Sequence, residues 1–116
     1  MMLSELATKL GLENLTPNLA ARPVKVTGGY VSDLLSDVLA NGPKGGVLVT
    51  VQVHLNVIAV AVHAELAAVI FALDRRPDEA VCAKAVEEGI ALYVTDANAF
   101  DVVGRLYELG LRGPHA

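Results

Sequence analysis

The sequence predicts a single three-layer α/β domain in which a mainly parallel sheet of about four strands is covered by helices. Strand-like and helix-like segments alternate along the chain, and such alternation favours parallel βαβ units. The chain has 116 residues, which is the size of one domain. Its composition is 53% hydrophobic but only 4% aromatic, and a core of Val, Ala and Leu suits strands that are buried on both faces.

The N-terminal part of the chain is predicted to contain two helices and one strand. Residues 3–10 carry Leu and Ala at helical spacing, and Gly11 is a natural C-terminal stop. Residues 24–26 alternate in the manner of a short edge strand. A second helix is expected from about Ser32, which is a suitable N-cap, with Asp33 in its first turn. Its apolar face comprises Leu34, Leu35, Val38 and Leu39.

The remaining strands and helices alternate regularly. Strands are predicted at residues 47–53, 67–73 and 90–95. Helices are predicted at residues 55–65, between Pro77 and the stop at Gly89, and before Gly110. The last helix is expected to carry Phe100, Val103, Leu106 and Tyr107. One domain results, with residues 1–22 as a helix and connector, 23–110 as the βα core and 111–116 as a tail.

The predicted helix at residues 55–65 is unusual because residues 57–62 are all apolar. A helix that is apolar on every side is buried on every side. One side can lie on the sheet, and two explanations account for the other. Either the N-terminal helix folds over it, or it forms the interface of a homodimer, the commonest kind of oligomer. The residues expected at such an interface are Val57, Ile58, Ala61 and Val62.

Composition and charge narrow the functional class. The net charge is -4 and the basic residues are scattered, which disfavours nucleic acid as a partner. The single cysteine, Cys82, excludes an internal disulfide and a cysteine-based zinc cage, and its helical position favours an inert core thiol. The start of the chain does not resemble a signal peptide. Because His63 and Glu65 interrupt the longest apolar stretch, no membrane span is predicted and a cytoplasmic location is expected.

Ligands of parallel α/β sheets bind beyond the carboxyl ends of the strands. On the predicted strand boundaries, this edge gathers polar residues from the ends of the first, second and fourth strands. The candidate ligand-binding residues are Thr27, Gly28, Gly29, Tyr30, Gln52, His54, Asn56, Thr95 and Asp96. The third strand end adds Asp74 and Arg75.

Each of these features also has a purely structural interpretation. Gly28 and Gly29 could expose backbone N–H groups to an anion, or could form a tight turn that needs positive φ. Their spacing matches neither the dinucleotide fingerprint nor the P-loop. His54 could hydrogen-bond a ligand, or could cap its own helix. Asp96 could bind a hydroxyl group, or could cap the last helix.

No catalytic apparatus is recognisable in the sequence. There is no nucleophile elbow, and no two histidines stand at the helical spacing that a metal site uses. No catalytic residue, metal or cofactor is therefore predicted.

Residues 26–38 carry the strongest resemblance to a known family. The stretch Val-Thr-Gly-Gly-Tyr-Val-Ser-Asp-Leu-Leu-Ser-Asp-Val at these positions, together with residues 50–56 and 100–110, resembles the DRTGG domain family. The resemblance covers nearly the whole chain, and it is greatest for stand-alone members associated with iron-only hydrogenase in anaerobic bacteria. Lys25 and Val26 stand where the family name has Asp and Arg, so only the Thr-Gly-Gly part of that motif matches.

The resemblance implies an α/β fold similar to the N-terminal domain of HPr kinase. It also implies an accessory or regulatory role, because such domains occur beside CBS domains in some pyrophosphatases. Homodimerisation and a protein partner in a hydrogenase system are further implications of the resemblance.

Three functional hypotheses follow from the residues and the resemblance together. The first is a non-catalytic regulatory or accessory module that acts through homodimerisation and protein contacts. The second is a sensor domain that binds a small ligand, a nucleotide or an anion, in the strand-end crevice. The third is an enzyme in which His54 acts as an acid–base with Asp96 or Asp74.

Overall fold

The helices and strands alternate as the sequence predicts. In the computed structural model, which describes residues 1–19 and 22–115, the helices are α1 (Leu3–Leu10), α2 (Leu35–Asn41), α3 (Asn56–His63), α4 (Glu79–Glu88) and α5 (Ala99–Glu108). The strands are β1 (Glu13–Asn14), β2 (Gly28–Val31), β3 (Gly46–Thr50), β4 (Ala68–Phe71) and β5 (Ala91–Val94). A single turn of 3-10 helix lies at Pro17–Leu19. The predicted α/β class is confirmed.

The five strands form one sheet in the order β1-β5-β4-β3-β2. The strands β2, β3, β4 and β5 are parallel, and β1 is antiparallel to β5. The sequence predicted only the four parallel strands. β1 was missed because it has two residues and lies in the segment expected to be a connector.

The sheet divides the hydrophobic core into two halves. α1 and α5 pack on one face, and α2, α3 and α4 contribute to the core on the other. Every residue of β3, β4 and β5 is buried, as expected for parallel strands covered on both faces. None of the helices in residues 1–19 and 22–115 has the length and hydrophobicity to cross a membrane.

The helix α1 does not cover α3, so that explanation of the apolar helix is wrong. The two helices lie on opposite faces of the sheet, which separates them. α3 uses its apolar residues differently from either expectation, because Val57, Ile58 and Ala61 are buried within the chain's own core. Only Leu55 and Val62, at 46% and 39% exposed, leave large apolar groups at the surface of this segment.

The first parallel strand begins later than predicted. Residues 24–26 pair with the start of the chain instead of with the sheet. The N–H of Leu3 donates to the carbonyl of Val24, and the N–H of Val26 donates to the carbonyl of Met1, both at 2.8 Å. These bonds hold the segment at the N-terminus of α1, and β2 starts only at Gly28.

Helix ends are partly as expected. Gly11 and Gly89 end α1 and α4 in the left-handed conformation, with φ of 64° and 76°. Ser32, however, does not cap α2, which begins only at Leu35 and has no side-chain cap. The hydroxyl oxygen of Ser32 instead accepts the N–H of Leu34 in the preceding turn, at 3.2 Å.

The helix α5 buries only part of the apolar set that the sequence places on it. Val102 and Leu106 are buried, whereas Phe100 and Tyr107 are 86% and 56% exposed. The cap at Asn98 fixes the start of α5. Two aromatic side chains of this helix therefore lie at the surface.

Candidate functional site

Four parallel strands end at one edge of the sheet, and the residues that follow them form the candidate site. Parallel α/β folds bind ligands at this edge. β1 adds Glu13, which is paired with Val94 at the end of β5. The polar side chains that follow the strands are Ser32, Asp33, Gln52, His54, Asn56, Asp74, Arg76, Thr95 and Asp96.

The ends of β2 and β3 are joined through Asp33. Its Oδ1 accepts the hydroxyl of Thr50 at 2.9 Å and the N–H of Val51 at 2.8 Å. The hydroxyl oxygen of Thr50, which is fully buried, also accepts the N–H of Gln52 at 3.0 Å. Asp33 therefore fixes the start of the loop that carries Gln52 and His54, a role that the sequence did not predict.

His54 caps the start of α3. Its Nδ1 accepts the N–H of Asn56 at 3.0 Å, and its own N–H donates to Oε1 of Gln52 at 3.2 Å. The structural interpretation of this histidine is confirmed. An acid–base role would need a carboxylate in hydrogen-bonding contact with His54, and no such bond occurs among the described residues.

The end of β4 is bound to β1 by an ion-pair network. Arg76 donates two bonds of 2.8 Å to the carboxylate of Glu13 and one of 2.9 Å to Oδ1 of Asp74. The hydrogen bonds from Arg76 lower the pKa of Glu13 below its ordinary value of 4.5. Those to Glu13 likewise raise the pKa of Arg76. All three side chains are well exposed to solvent.

The backbone is strained where β4 ends. Leu73 and Asp74 have φ of 57° and 53°, in the left-handed region that residues other than glycine rarely adopt. Two bonds hold this turn, from the N–H of Leu73 to the carbonyl of Ala97 and from the N–H of Asp74 to the carbonyl of Thr95. Strain of this kind persists where the surroundings impose it, often at functional sites.

Asp96 remains available to a ligand. The N-cap of α5 is Asn98, whose Oδ1 accepts the N–H of Asp101 at 2.9 Å, so the expectation that Asp96 caps this helix is wrong. Asp96 is exposed, and within residues 1–19 and 22–115 its side chain makes no hydrogen bond or ion pair.

A polar cavity of about 390 Å³ opens at this edge, where the carboxyl ends of the parallel strands lie, between β1, β4 and β5. We call this edge the carboxyl edge and this space the carboxyl-edge cavity. Its charged lining residues are Glu13, Asp74, Asp96 and Arg76. Three carboxylates therefore surround one guanidinium that is already bound to two of them. This charge balance disfavours a phosphate or another anion and favours a cationic or hydroxyl-bearing group.

The Thr-Gly-Gly segment lies at the opposite edge of the sheet. Gly28 is the first residue of β2, so this segment precedes a strand rather than following one. The hydroxyl of Thr27 donates to the carbonyl of Lys44 at 2.7 Å. The structure therefore does not bring Thr27, Gly28 and Gly29 together with the candidate residues that follow β3 and β5.

Gly28 has a steric role at that edge. A Cβ at this position would lie 2.8 Å from the carbonyl oxygen of Arg112, and that same oxygen accepts the N–H of Gly29 at 3.0 Å. Gly28 thus allows residues near the C-terminus to approach β2 closely. Neither glycine has the positive φ that the turn interpretation expected.

Tyr30 is also separated from the carboxyl-edge cavity. Its hydroxyl donates to Oδ1 of Asp37 at 2.7 Å. This bond is the main cause of a raised pKa for Tyr30 and a lowered pKa for Asp37. The residue lines an apolar groove of about 480 Å³ between β2 and α5, which also includes Tyr107, Arg112 and His115.

Metal binding and thiol reactivity depend on where the His, Cys, Asp and Glu side chains lie. In the part of the chain that the structure describes, no group of three His, Cys, Asp or Glu side chains could hold a metal ion. Cys82 is partly buried on α4, and burial is the main cause that raises the pKa of its thiol. The reactive thiolate is correspondingly disfavoured.

Sequence reasoning missed three residues of the carboxyl edge. Asp33 was recognised as an acid but was assigned to the first turn of a helix. Arg76 lies just beyond the residues singled out after the third strand, and its partner Glu13 lies 63 residues away along the chain. Only the antiparallel β1 brings the pair together, and a two-residue strand has no reliable sequence pattern.

Comparisons with known proteins bear on the fold. A scan against protein families finds no match, and a search of the curated proteins finds none either. Among solved structures, the chain is similar to the CBS and DRTGG domains of the regulatory region of Clostridium perfringens pyrophosphatase, in complex with the activator diadenosine tetraphosphate. The TM-score is 0.72 at 13% sequence identity.

The structural match covers 88% of this chain and 44% of the pyrophosphatase chain. This chain therefore spans less than half the length of that structure. At such low identity the likeness shows the fold alone, and it supports a DRTGG-like α/β fold.

Proposed function

We propose that this chain is a regulatory module that senses a small ligand. The observation that carries the proposal is the likeness of its fold to the regulatory region of a pyrophosphatase, which was solved with an activator bound. A module that senses a ligand needs a cavity large enough for a small molecule, and it does not need a set of catalytic residues. This proposal combines two of the hypotheses drawn from the sequence, namely a regulatory module and a sensor domain that binds a small ligand.

The cavities support this proposal. The described residues line open cavities of about 390, 440 and 480 Å³, and these volumes are within the range of small-molecule sites. In the carboxyl-edge cavity, Asp96 is the side chain that has no bond to release before it can bind. Gln52 and His54 lie in the neighbouring loop, and Asn56 is the first residue of α3. The side chains of Gln52 and His54 already accept backbone N–H groups, from His54 and Asn56 respectively.

The charge of the carboxyl-edge cavity decides which ligands suit it. Glu13, Asp74 and Asp96 favour a ligand with hydroxyl groups or a positive charge over a nucleotide phosphate. A ribose or a polyol fits this preference, because carboxylates accept hydrogen bonds from vicinal hydroxyls.

Thermal denaturation in the presence of defined compounds tests the sensing role. The panel contains diadenosine tetraphosphate, adenosine, a polyamine and small organic acids. A compound at about 100 times its Kd stabilises the folded state by about 2.7 kcal/mol, which raises the Tm of a domain of this size by several degrees. The absence of a Tm shift with every compound would contradict the proposal. For any compound that binds at the carboxyl edge, Asp96→Asn is expected to reduce the shift without lowering the Tm of the free protein.

A second proposed role, homodimerisation, is favoured by a specific surface. Four large apolar side chains on or beside the neighbouring helices α2 and α3 are between 39% and 66% exposed. They are Leu34, Leu39, Leu55 and Val62. We define these four residues as the α2–α3 surface, and exposed apolar groups of this kind favour association with another protein surface.

This surface replaces the interface expected from the sequence. Val57, Ile58 and Ala61 cannot contact a partner because they are already buried, and only Val62 of the original set belongs to the α2–α3 surface. Sedimentation velocity measures the association directly. A monomer at high concentration would contradict this second role without affecting the proposal of ligand sensing.

The identity of the regulated protein partner is proposed on the sequence resemblance alone. That resemblance points to a protein of an iron-only hydrogenase system. Binding of the purified chain to purified hydrogenase subunits, with and without a substitution on the α2–α3 surface, tests this part of the proposal.

A further inference from the structure

A second cavity, of about 440 Å³, lies beside α1 on the face of the sheet opposite to α3. Its walls come from α1, from residues within 14–19 and 22–24, and from the amino ends of β4 and β5. None of the candidate ligand-binding residues predicted from the sequence lines it. The apolar part of the lining includes Leu3, Ala7, Leu12, Leu19 and Val24.

Tyr93 lines this cavity, and its hydroxyl group has no hydrogen-bond partner among residues 1–19 and 22–115. The residue lies in β5, is only 5% exposed and lines the cavity wall. Its hydroxyl makes no hydrogen bond to any residue in the described ranges. Among those residues no fully enclosed side-chain N or O atom lacks a partner, so this hydroxyl is not fully enclosed. Burial raises the pKa of Tyr93, which keeps the group protonated and able to donate.

The charge of this cavity is opposite to that of the carboxyl edge. The whole chain has 13 acidic residues and a net charge of -4, yet the described lining contains no Asp, Glu or Lys. Arg22 is the charged group of that lining. One of its terminal nitrogens donates to the carbonyl of Gly89 at 3.0 Å, which fixes the guanidinium at the rim and leaves further N–H groups to donate.

We infer that the cavity beside α1 binds a small organic acid, with its carboxylate at Arg22, its apolar body against α1 and a polar substituent at the hydroxyl of Tyr93. The hydroxyl of Tyr93 gains a partner that the described residues do not supply. The carboxylate gains a charge-assisted hydrogen bond from the guanidinium. This inference rests on the proposed sensing function and gives it a second site, whose ligand class is opposite in charge to the one that the carboxyl-edge cavity favours.

The probe is para-hydroxybenzoate, which carries a carboxylate, an apolar ring and a hydroxyl group. We expect it to bind the full chain with a Kd on the order of 1 mM or lower. Amide chemical shifts measured by NMR should then change in α1, in residues 14–19 and 22–24, and at the start of β5. Benzoate lacks the hydroxyl and methyl para-hydroxybenzoate lacks the charge, so each is expected to bind about five- to tenfold more weakly.

Substitutions test the two anchoring side chains. Tyr93→Phe keeps the ring that packs in the core, and Arg22→Gln keeps a hydrogen-bonding side chain without the charge. Each is expected to weaken binding by about five- to tenfold. The chain offers a matched control, because Arg112 stacks on the ring of Tyr107 at 3.6 Å outside this cavity. Tyr107→Phe and Arg112→Gln should leave the affinity unchanged.

Three results would overturn the inference. They are the absence of chemical-shift changes at roughly 10 mM probe, changes confined to another part of the fold, and equal affinity for para-hydroxybenzoate and its methyl ester. The ligand series on the unmodified chain decides the matter even where a variant fails to fold. If another compound of the thermal-shift panel binds while para-hydroxybenzoate does not, only the site assignment fails. If none binds, the sensing function fails with it.

Discussion

The carboxylate of Asp33 accepts a hydrogen bond from the hydroxyl of Thr50, and this contact joins the ends of β2 and β3 at 2.9 Å. Thr50 is fully buried at the end of a central strand. A buried hydroxyl needs a partner, because burying one without a hydrogen bond is costly. Asp33 is thus a structural residue at the edge where ligands of such folds bind.

Removal of the Asp33 carboxylate should destabilise the fold. Asp33→Ala leaves the hydroxyl of Thr50 and the N–H of Val51 without their acceptor, and we expect the free energy of unfolding to fall by about 1–3 kcal/mol. Urea denaturation measures this change. Asp96→Ala is the matched control at the same edge and should change the free energy by less than about 0.5 kcal/mol, as for other surface substitutions. Equal losses in the two variants would contradict the role given to Asp33.

The two glycines of the Thr-Gly-Gly segment should respond differently to substitution. A Cβ at position 28 would lie 2.8 Å from the carbonyl oxygen of Arg112, whereas a Cβ at position 29 meets nothing closer than 3.8 Å. Gly28→Ala is therefore expected to displace residues 111–113 and to destabilise the fold by about 1–3 kcal/mol, as overpacking does. Gly29→Ala should be tolerated, since 3.8 Å is an ordinary van der Waals contact.

Urea denaturation and the amide chemical shifts of residues 111–113 check both glycine variants. A similar and small effect at the two positions would show that the first glycine is not needed for the approach of the C-terminal segment. A loss at Gly29 alone would contradict the steric role given to Gly28, since a Cβ at position 29 has the more open surroundings.

Local periodicity was enough to predict most of the fold. The parallel strands β3, β4 and β5 are continuous apolar stretches, and Gly11 and Gly89 mark helix ends through the left-handed conformation that glycine adopts readily. The position of β2 could not be predicted in this way. Residues 24–26 have a strand-like pattern, but tertiary pairing with Met1 and Leu3 determines where they lie.

In the candidate site, only contacts between residues that are close together in the sequence could be predicted. The cap at His54 involves Asn56, two positions away, and the sequence raised it as an alternative. The pairs formed by Arg76 with Glu13 and by Asp33 with Thr50 join segments that are distant along the chain. Such contacts depend on strand order, which a single sequence does not determine. The shift of β2 likewise moved the Thr-Gly-Gly segment to the opposite edge.

The ion pair between Glu13 and Arg76 should make stability depend on pH in the acid range. Because Arg76 lowers the pKa of Glu13 in the folded state, the pair stabilises the fold above the ordinary carboxyl value of 4.5. This contribution is lost as the pH falls from that value through the lowered pKa. We expect the Tm difference between the unmodified chain and Glu13→Gln to be constant at neutral pH and to vanish in acid.

A double-mutant cycle isolates this pH effect. In the Arg76→Gln background, Glu13→Gln should have little effect on the Tm at any pH, since the guanidinium that lowers the pKa is absent. Melting curves recorded across the acid range provide the measurement. A pH-dependent difference that persists without Arg76 would assign the effect to other charges near β1.

Substitutions on the two faces of α3 should separate folding from self-association. Ile58 is 1% exposed, so Ile58→Asp places a charge in the core and is expected to unfold the chain. Val62→Asp and Leu39→Asp change only the α2–α3 surface, and each should leave the Tm of the monomer nearly unchanged while it weakens the dimer. Sedimentation velocity over a range of concentrations measures the dimer fraction of each variant.

Phe100→Asp provides the matched control for these surface substitutions. Phe100 is the most exposed of the large apolar side chains, at 86%, and it belongs to α5, which packs on the opposite face of the sheet. The substitution removes a larger apolar group than Val62→Asp does, so general surface hydrophobicity predicts the greater effect for Phe100. The α2–α3 surface predicts the reverse, because only Val62 and Leu39 belong to it. Dissociation by Phe100→Asp alone would therefore assign the dimer contact to the α5 face.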